Sequence, residues 1–196
     1  MKNNSTDLII LGGGLTGLTL AYLLREQGLQ IHMLEAKNRV GGRIYTKYPE
    51  QLAPQEMGAT WLGKKHTALV ALLAELEIGI FEQRMEDRAI YEAISTSPPQ
   101  LVSLPPNPEP SYRVEGGTST LINTLSKHLV GTRISTEQIV KSITKTADGL
   151  QVYTDREVFT APIVISTLPP HLLTQSIQFE PSLPESCSES INTYSQ

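Results

Sequence analysis

The order of apolar and polar stretches near the start of the chain predicts a strand, a helix and a second strand. Four apolar residues at positions 8–11 precede a glycine-rich turn, and the leucine-rich stretch 18–24 indicates a packed helix. Gly28 is a helix-ending signal, and residues 30–34 predict the second strand. Leucines spaced at i, i+3, i+4 and i+7 over residues 66–76 predict a later amphipathic helix. The opening is therefore that of an α/β domain that begins with a βαβ unit.

The first turn has the spacing G-x-G-x-x-G at Gly12, Gly14 and Gly17. In a dinucleotide-binding turn the first glycine permits a tight bend, the second lets the backbone approach a pyrophosphate, and the third lets the helix pack against the sheet. N–H groups of the first helical turn, where Leu15 and Thr16 lie, then face the phosphates. A structural glycine turn is the alternative, but a strand before the motif and a helix after it favour dinucleotide binding.

An acidic residue, Glu35, ends the second strand 18 residues beyond Gly17. A carboxylate at this place accepts hydrogen bonds from ribose hydroxyls and repels a 2′-phosphate. It therefore favours FAD or NAD over NADP, and we include the following residue, Ala36, in the predicted cofactor contact.

A second glycine pair, Gly41 and Gly42, begins six residues after Glu35 and is flanked by Arg39 and Arg43. An NAD-binding unit has no need of this pair. Two glycines allow close backbone approach, and the rigid fork of a guanidinium group suits phosphate. The segment predicts a second contact on the same dinucleotide, and a glycine turn with two surface arginines is the alternative.

Composition and charge indicate which other functions to set aside. The 196 residues carry a net charge of −4, so nothing indicates a nucleic-acid partner or a polybasic membrane surface. The single cysteine, Cys187, allows no internal disulfide. The apolar run 8–11 is too short for a signal sequence or a membrane span, so we expect a cytoplasmic protein without a membrane segment.

Patterns for nucleophilic or metal chemistry are missing from the sequence. It contains no G-x-S-x-G, H-E-x-x-H or C-x-x-C motif and no Walker loop. The four histidines are scattered along the chain: His32, His66, His128 and His171. We therefore predict no metal site and assign no catalytic residue.

The glycine turn, Glu35 and the segment 39–43 together resemble the N-terminus of the flavin-containing amine oxidase family. That family includes monoamine and polyamine oxidases, with protoporphyrinogen oxidases and carotenoid desaturases as relatives. The resemblance implies FAD as the cofactor, with Glu35 on the adenosine ribose. It also implies that Gly41, Gly42 and Arg43 lie near the pyrophosphate.

Residues 56–63 are similar to the family segment that passes beside the isoalloxazine ring of the flavin. The resemblance implies flavin contacts by Gly58, Ala59, Thr60 and Trp61. Gly58 and Ala59 are small enough to let a flat ring lie against the backbone. A core or interface position is the alternative for Trp61, because a lone tryptophan packs more often than it catalyses.

Three later segments extend the resemblance. Residues 112–119, an aromatic before a glycine pair, resemble the family's return into a helix, although a simple helix-entry turn is the alternative. Residues 134–143 predict one strand that carries Val140, whose backbone holds the adenine edge in that family. Residues 163–170, which include Thr167, are similar to the strand that closes the FAD domain.

The predicted architecture is a Rossmann-like FAD-binding domain with a reduced substrate-domain segment. The six prolines within residues 97–110 predict an extended loop or connector without a helix or central strand. We predict an FAD-binding βαβ portion over residues 1–78, a reduced substrate-domain segment and connector over 79–111, a return of the FAD-binding domain over 112–184 and a polar tail over 185–196. The resemblance covers only the N-terminal half of the family, so we expect a truncated member.

The resemblance implies an FAD-dependent oxidoreductase that oxidises a small amine by hydride transfer to the flavin. A carotenoid-desaturase-like or protoporphyrinogen-oxidase-like flavoenzyme is one alternative, because these groups share the cofactor motifs and a fold does not fix a function. A non-catalytic or truncated dinucleotide-binding remnant is the other. The oligomeric state stays open.

Overall fold

A computed structural model describes residues 4–94, 96, 98–106 and 109–184. The chain divides into two compact units. The first unit comprises the described residues of Met1–Tyr45 and Ile122–Gln196, and the second unit comprises those of Thr46–Leu121. These bounds differ from those of the four predicted segments, whose functional assignment stays a prediction.

The described residues form helices and short strands in the following order. The helices are α1 (Leu15–Leu24), α2 (Thr67–Glu75), α3 (Ser119–Lys127) and α4 (Pro170–Ser176). The earlier strands are β1 (Leu8–Leu11), β2 (Ile31–Leu34), β3 (Thr46–Lys47), β4 (Gln55–Glu56), β5 (Leu62–Gly63), β6 (Ile80–Glu82), β7 (Arg88–Tyr91) and β8 (Gln100–Ser103). The later strands are β9 (Ser111–Val114), β10 (Arg133–Ser135), β11 (Val140–Thr146), β12 (Gly149–Thr154), β13 (Val158–Ala161), β14 (Ile163–Ser166) and β15 (Gln178–Glu180).

The first unit is built on a parallel sheet with the strand order β10-β2-β1-β14. Every side chain of β1 is buried, from Leu8 at 3% exposed to Ile9 and Ile10 at 0%. A central parallel strand is covered on both faces, which is why its sequence is a continuous apolar run. The predicted βαβ unit and the Rossmann-like α/β fold are confirmed.

A second sheet of the first unit has the order β13-β12-β11-β15, antiparallel except for the β11–β15 pair. Side chains from both sheets, together with Ile177 after α4, form one apolar cluster: Ile9, Leu11, Leu34, Ile143, Val152, Phe159, Ala161 and Ile177. This cluster is the core on which the carboxyl ends of β1 and β2 rest.

The strand predicted over residues 134–143 is wrong as a single element. The structure divides it into β10, in the parallel sheet, and β11, in the second sheet. Glu137 between them has φ of 57°, a left-handed conformation that interrupts an extended strand. The break carries the chain from one sheet to the other.

The second unit contains a three-stranded antiparallel sheet, β5-β9-β6, with the hairpins β3–β4 and β7–β8 and helix α2. The helix predicted over residues 66–76 is confirmed as Thr67–Glu75. The loop predicted over residues 97–110 is wrong at β8. The five residues between Pro99 and Pro105 contain no proline, and the four of them in β8 suffice for a two-stranded ribbon. None of the helices in the described part of the chain combines the length and apolar character that crossing a bilayer requires.

Candidate dinucleotide-binding site

The glycine turn joins the end of β1 to the start of α1. Gly12 has φ of 103°, and Gly14 precedes the helix without any side chain to cap it. A Cβ built on Gly17 would lie 2.1 Å from the Gly12 carbonyl oxygen, so the helix approaches the turn more closely than any other residue allows. The first N–H groups of a helix have no intrahelical acceptor, and here they belong to Leu15, Thr16 and Gly17. The turn therefore presents free donors that suit a phosphate.

The carboxylate of Glu35 lies directly against this turn. One oxygen, Oε2, accepts the backbone N–H of Gly13 at 2.7 Å, and the other, Oε1, accepts that of Lys37 at 2.8 Å. The residue is only 7% exposed, so both bonds are held in a site poor in water. A carboxylate has about four acceptor positions, so each oxygen retains capacity for a ribose hydroxyl.

The second glycine pair packs on the first turn. The Gly41 N–H donates to the Gly13 carbonyl oxygen at 2.7 Å, and Gly14 and Gly41 form a parallel bridge. A Cβ on Gly42 would lie 3.1 Å from the Cα of Gly14. Two backbone segments thus meet where neither carries a side chain, so no side chain blocks the approach of a ligand to either backbone.

The two arginines beside this pair have different surroundings. Arg39 donates to three carbonyl oxygens of its own loop and stacks over the Tyr45 ring, with its guanidinium carbon 4.5 Å from the ring centroid. The acceptors are Val40, Gly42 and Ile44. Arg43 is exposed. Arg39 therefore holds the loop in place, and phosphate contacts by either arginine stay predictions.

The chain between β10 and β11 is hydrogen-bonded to the end of β2. The Glu35 N–H donates to Ser135, and the Gln138 N–H donates back to the Glu35 carbonyl oxygen, both at 2.9 Å. The structure therefore brings the region of Val140, the exposed Ala36 and Glu35 to one end of the parallel sheet. In open parallel sheets this is the end that binds ligands, and the adenine contact of Val140 stays a prediction.

Thr167, which follows β14, contacts the same turn from the other side. Its backbone N–H and its hydroxyl both donate to the Leu11 carbonyl oxygen at 2.9 Å. The hydroxyl also lies 3.3 Å from the Gly12 carbonyl oxygen. A Cβ on Gly12 would lie 2.8 Å from the Thr167 hydroxyl. Thr167 thus supports the turn through protein contacts, and a direct cofactor contact stays a prediction.

The segment predicted to pass beside the flavin lies between β4 and β5 of the second unit. Gly58 and Ala59 are exposed, and Trp61 is 59% exposed, so Trp61 is not a core residue. The hydroxyl oxygen of Thr60 is buried and has no hydrogen-bond partner among the described residues. A buried hydroxyl of this kind normally has a partner, and a bound molecule can supply one.

A polar cluster in the second unit was not predicted from the sequence. Glu56 Oε1 accepts the Thr118 N–H at 2.6 Å and the Thr118 hydroxyl at 3.1 Å, while Oε2 accepts the Thr46 hydroxyl at 2.8 Å. Thr46 and Ser119 each donate a backbone N–H to the other's hydroxyl, at 2.8 and 2.9 Å. In the sequence, only the polar pair Thr118 and Ser119 at the start of α3 gives a signal, because such residues favour a helix N-cap.

His32 is buried in the parallel sheet, away from any site chemistry. Its Nε2 lies 2.9 Å from the Ser135 hydroxyl, and its ring packs edge-on against Phe159. Burial lowers the pKa of His32 from 6.5 to about 4, with a smaller contribution from the positive charge of Arg133, against an opposing effect of Glu157. No group of histidine, cysteine and acidic residues in the described ranges is arranged to hold a metal ion, and Cys187 lies outside those ranges.

An apolar cavity of about 380 Å³ lies within the first unit. Its walls include Leu11, Ile143, Val164, Leu173 and Phe179. None of the residues predicted to contact the cofactor lines it. A phosphate-bearing ligand needs polar donors, so the glycine turn and not this cavity suits a dinucleotide.

Two family models match the chain. Residues 10–76 match an NAD(P)-binding Rossmann-like domain, and residues 98–195, half of the chain, match the flavin containing amine oxidoreductase model. The chain belongs to the flavin-containing amine oxidoreductase family. The resemblance stated from the sequence is confirmed, and FAD is the cofactor of this family.

Curated relatives agree with this assignment. A flavin-containing amine oxidase of Oncorhynchus mykiss is 35% identical over 103 residues, and flavin-containing amine oxidase B of Homo sapiens is 31% identical over 104 residues. Each match covers 53% of this chain and 20% of the relative. The matches therefore span about a fifth of the length of these relatives.

Solved structures show the same fold over nearly the whole chain. Putrescine oxidase bound to putrescine superimposes with a TM-score of 0.77 at 20% identity, covering 96% of this chain and 63% of the other. Cyclohexylamine oxidase from Brevibacterium oxydans gives a TM-score of 0.78 at 16% identity, covering 95% and 63%. At sequence identities of 20% and 16%, the structural similarity establishes the fold alone.

The residues present fit an FAD molecule in three respects. The glycines at the start of α1 leave room for a pyrophosphate next to free N–H groups. The two oxygens of Glu35 are oriented by backbone donors and retain acceptor capacity. The unpartnered hydroxyl of Thr60 lies within the segment that the resemblance places beside the flavin ring.

Proposed function

We propose that this chain forms the FAD-binding part of an amine oxidase, which oxidises an amine by hydride transfer to the flavin. The observation that carries the proposal is the hydrogen bond between Glu35 and the Gly13 N–H, which joins the ribose-binding acid to the glycine turn. When bound, FAD supplies an isoalloxazine ring that accepts the hydride. The chain's own residues bind and orient it.

Each predicted contact has a physical role in this proposal. The N–H groups of Leu15, Thr16 and Gly17 and the charge of Arg43 hold the pyrophosphate, because anions are favoured at a helix N-terminus and beside a guanidinium. Glu35 accepts the ribose hydroxyls. The backbone of Val140 binds the adenine edge.

The segment 58–61 contacts the isoalloxazine ring in this proposal. Gly58 and Ala59 give the ring a surface without long side chains, and the Thr60 hydroxyl offers a donor that has no protein partner among the described residues. Trp61 adds an exposed aromatic face. No residue of the described ranges is assigned to proton transfer or covalent chemistry.

The substrate in this proposal is an amine. Support comes from family membership and from the names of the structural neighbours, which are oxidases of putrescine and cyclohexylamine. The chain spans 63% of these neighbours, so the identity of the amine and any catalytic residues belong to the proposal as well.

Spectroscopy of the purified chain tests the proposal in two steps. The first step adds FAD and measures the absorbance of the protein fraction after gel filtration, with NAD as competitor. We expect bound flavin that excess NAD does not displace. A colourless protein after FAD addition contradicts the proposal.

The second step adds a diamine, a cyclic primary amine and an amine-free polyol to the FAD-loaded chain without oxygen. Bleaching of the flavin by an amine, followed by recovery in air, supports amine oxidation. Retained FAD that no amine bleaches upholds dinucleotide binding by this chain and rejects amine oxidation by it, which is the outcome expected of a non-catalytic remnant.

We propose the cytoplasm as the compartment of this protein. A single cysteine among 196 residues fits a reducing compartment, in which proteins do not depend on disulfides. Fractionation of cells that express the tagged chain tests this, and recovery with membranes or outside the cell contradicts it.

A further inference from the structure

The carboxylate of Glu56 joins three segments of the second unit. It lies at the end of β4 and accepts hydrogen bonds from Thr118, before α3, and from Thr46, at the start of β3. Three donors on two oxygens leave the side chain little rotational freedom. The reciprocal bonds between Thr46 and Ser119 close the same cluster.

Two of these anchoring residues, Thr46 and Glu56, lie close to glycine-containing segments with a predicted cofactor role. Thr46 lies three residues after Arg43, Glu56 lies two residues before Gly58, and Thr118 directly follows Gly116 and Gly117. A rigid anchor at these points restricts where the neighbouring backbone can lie. The chain between Glu56 and β5 has only the five residues 57–61 in which to move.

Gly117 shows how closely the cluster is packed. It has φ of 95°, and a Cβ there would lie 2.5 Å from the Thr46 methyl carbon and 3.2 Å from Glu56 Oε1. This glycine is therefore needed by the cluster itself.

The charge of Glu56 suits its place. A carboxylate is stabilised near the N-terminus of a helix, where free N–H groups carry partial positive charge. The 2.6 Å bond to the Thr118 N–H is of the short, charge-assisted kind. Glu56 thus caps α3 from a distant part of the sequence, and the backbone that follows Glu56 is fixed relative to that helix end.

We infer that Glu56 is a positioning residue that fixes the segment 58–61 and so the backbone and Trp61 ring that contact the flavin. The effect on the flavin rests on the proposed function. The effect of Glu56 on the position of segment 58–61 depends only on hydrogen bonds within the second unit. Trp61 is the single tryptophan of the chain and lies in this segment, so its fluorescence reports on the segment directly.

The experiment compares the wild-type chain with Glu56→Ala, Glu56→Gln and the matched control Glu50→Ala. Glu50 is an exposed glutamate in the β3–β4 connection, so its removal changes the net charge equally without touching the cluster. The measurements are the fluorescence anisotropy of Trp61 without FAD, the Kd for FAD, and the shape of the flavin absorption band after loading.

We expect Glu56→Ala to lower the Trp61 anisotropy, to raise the Kd for FAD about tenfold and to blur the resolved shoulder of the flavin band. Glu56→Gln keeps the side-chain length and one acceptor oxygen but replaces the other oxygen by an NH2 donor, so it should restore part of each value. Glu50→Ala should match the wild type. Unchanged anisotropy and Kd in Glu56→Ala would overturn the inference.

Two other outcomes also give a clear answer. If Glu56→Ala does not fold, Thr46→Val removes only the hydroxyl contacts of the cluster, and an unchanged Trp61 anisotropy in that variant overturns the inference. If the wild-type chain takes up no FAD, the proposed function fails, while the anisotropy of the variants still decides whether Glu56 fixes the segment.

Discussion

The buried carboxylate of Glu35 accepts the backbone N–H of Gly13 at 2.7 Å, which links the end of β2 to the glycine turn after β1. The acid is thereby held in place before any ribose reaches it. Its second oxygen accepts the Lys37 N–H at 2.8 Å. The ribose-binding acid and the phosphate-binding turn thus form one hydrogen-bonded unit.

Replacing Glu35 by alanine should weaken FAD binding at least tenfold, because the ribose acceptor is lost and two backbone donors are left without a partner. An unsatisfied buried group costs about 1–3 kcal/mol, so the free energy of unfolding should fall as well. Equilibrium titration with FAD and urea unfolding measure the two effects. The control is Glu26→Ala, whose exposed ion pair contributes little to stability. Equal FAD affinity in both variants would contradict the assigned role of Glu35.

Gly17→Ala should damage the fold itself. The added Cβ would lie 2.1 Å from the Gly12 carbonyl oxygen, which is backbone and cannot move aside without opening the turn. We expect a loss of about 2–4 kcal/mol of stability, in the range of severe overpacking. Gly131→Ala is the matched control, since a Cβ there meets no atom within 4 Å. Thermal unfolding of both variants tests this, and equal midpoints would show that the turn is looser than the structure indicates.

Thr167→Val should loosen the glycine turn without removing volume. The hydroxyl that contacts the Leu11 and Gly12 carbonyl oxygens is lost, and each net hydrogen bond is worth about 0.5–1.5 kcal/mol. Thr167→Ser retains the hydroxyl and should stay closer to the wild type. Urea unfolding and the Kd for FAD measure the effect. If serine and valine behave alike, the hydroxyl has no role in the turn.

His32 should make the protein less stable in mild acid. Its pKa is about 4 in the folded chain and 6.5 when unfolded, so between these values the unfolded chain binds more protons. The penalty is absent above pH 6.5, grows as the pH falls towards 4 and then levels off at about 3 kcal/mol. The neighbouring charges that act on it are Arg133 and Glu157.

The measurement for His32 is urea unfolding from pH 7 to pH 4 in the wild type, His32→Gln and the exposed control His171→Gln. Between pH 6.5 and pH 4 the free energy of unfolding should fall less in His32→Gln than in the wild type. The difference should be most of the ~3 kcal/mol that the buried imidazole costs. Parallel stability curves for the wild type and His32→Gln would show that the buried imidazole is not the group responsible.

The cofactor-binding start was predictable from the sequence because its constraints are local. A buried strand, a glycine spacing and an acid at a strand end each leave a pattern within about twenty residues, and these patterns place Gly12, Gly17 and Glu35 correctly in a βαβ unit.

Contacts between distant segments leave no such pattern. The sequence does not indicate that Glu56 accepts hydrogen bonds from Thr118, 62 positions away. Nor does it indicate that Arg39 donates its hydrogen bonds to carbonyl oxygens of its own loop. The division of residues 134–143 into two strands depends on Glu137 adopting a positive φ, which glutamate rarely does. These features follow from tertiary packing, which only the structure supplies.

Gly14→Ala separates cofactor binding from folding. The nearest atom to a Cβ at Gly14 outside its chain neighbours is the Gly42 Cα at 3.9 Å, and φ of Gly14 is −78°. The protein therefore accommodates an alanine here, while the added methyl occupies the space in which a pyrophosphate approaches the backbone.

The comparison of FAD affinity in the wild-type chain and in Gly14→Ala tests the central claim most directly. The account predicts that the wild type binds FAD, that Gly14→Ala unfolds at the same temperature, and that its Kd for FAD is at least tenfold higher. An unchanged Kd in a folded Gly14→Ala chain would contradict the claim that this glycine turn binds the dinucleotide.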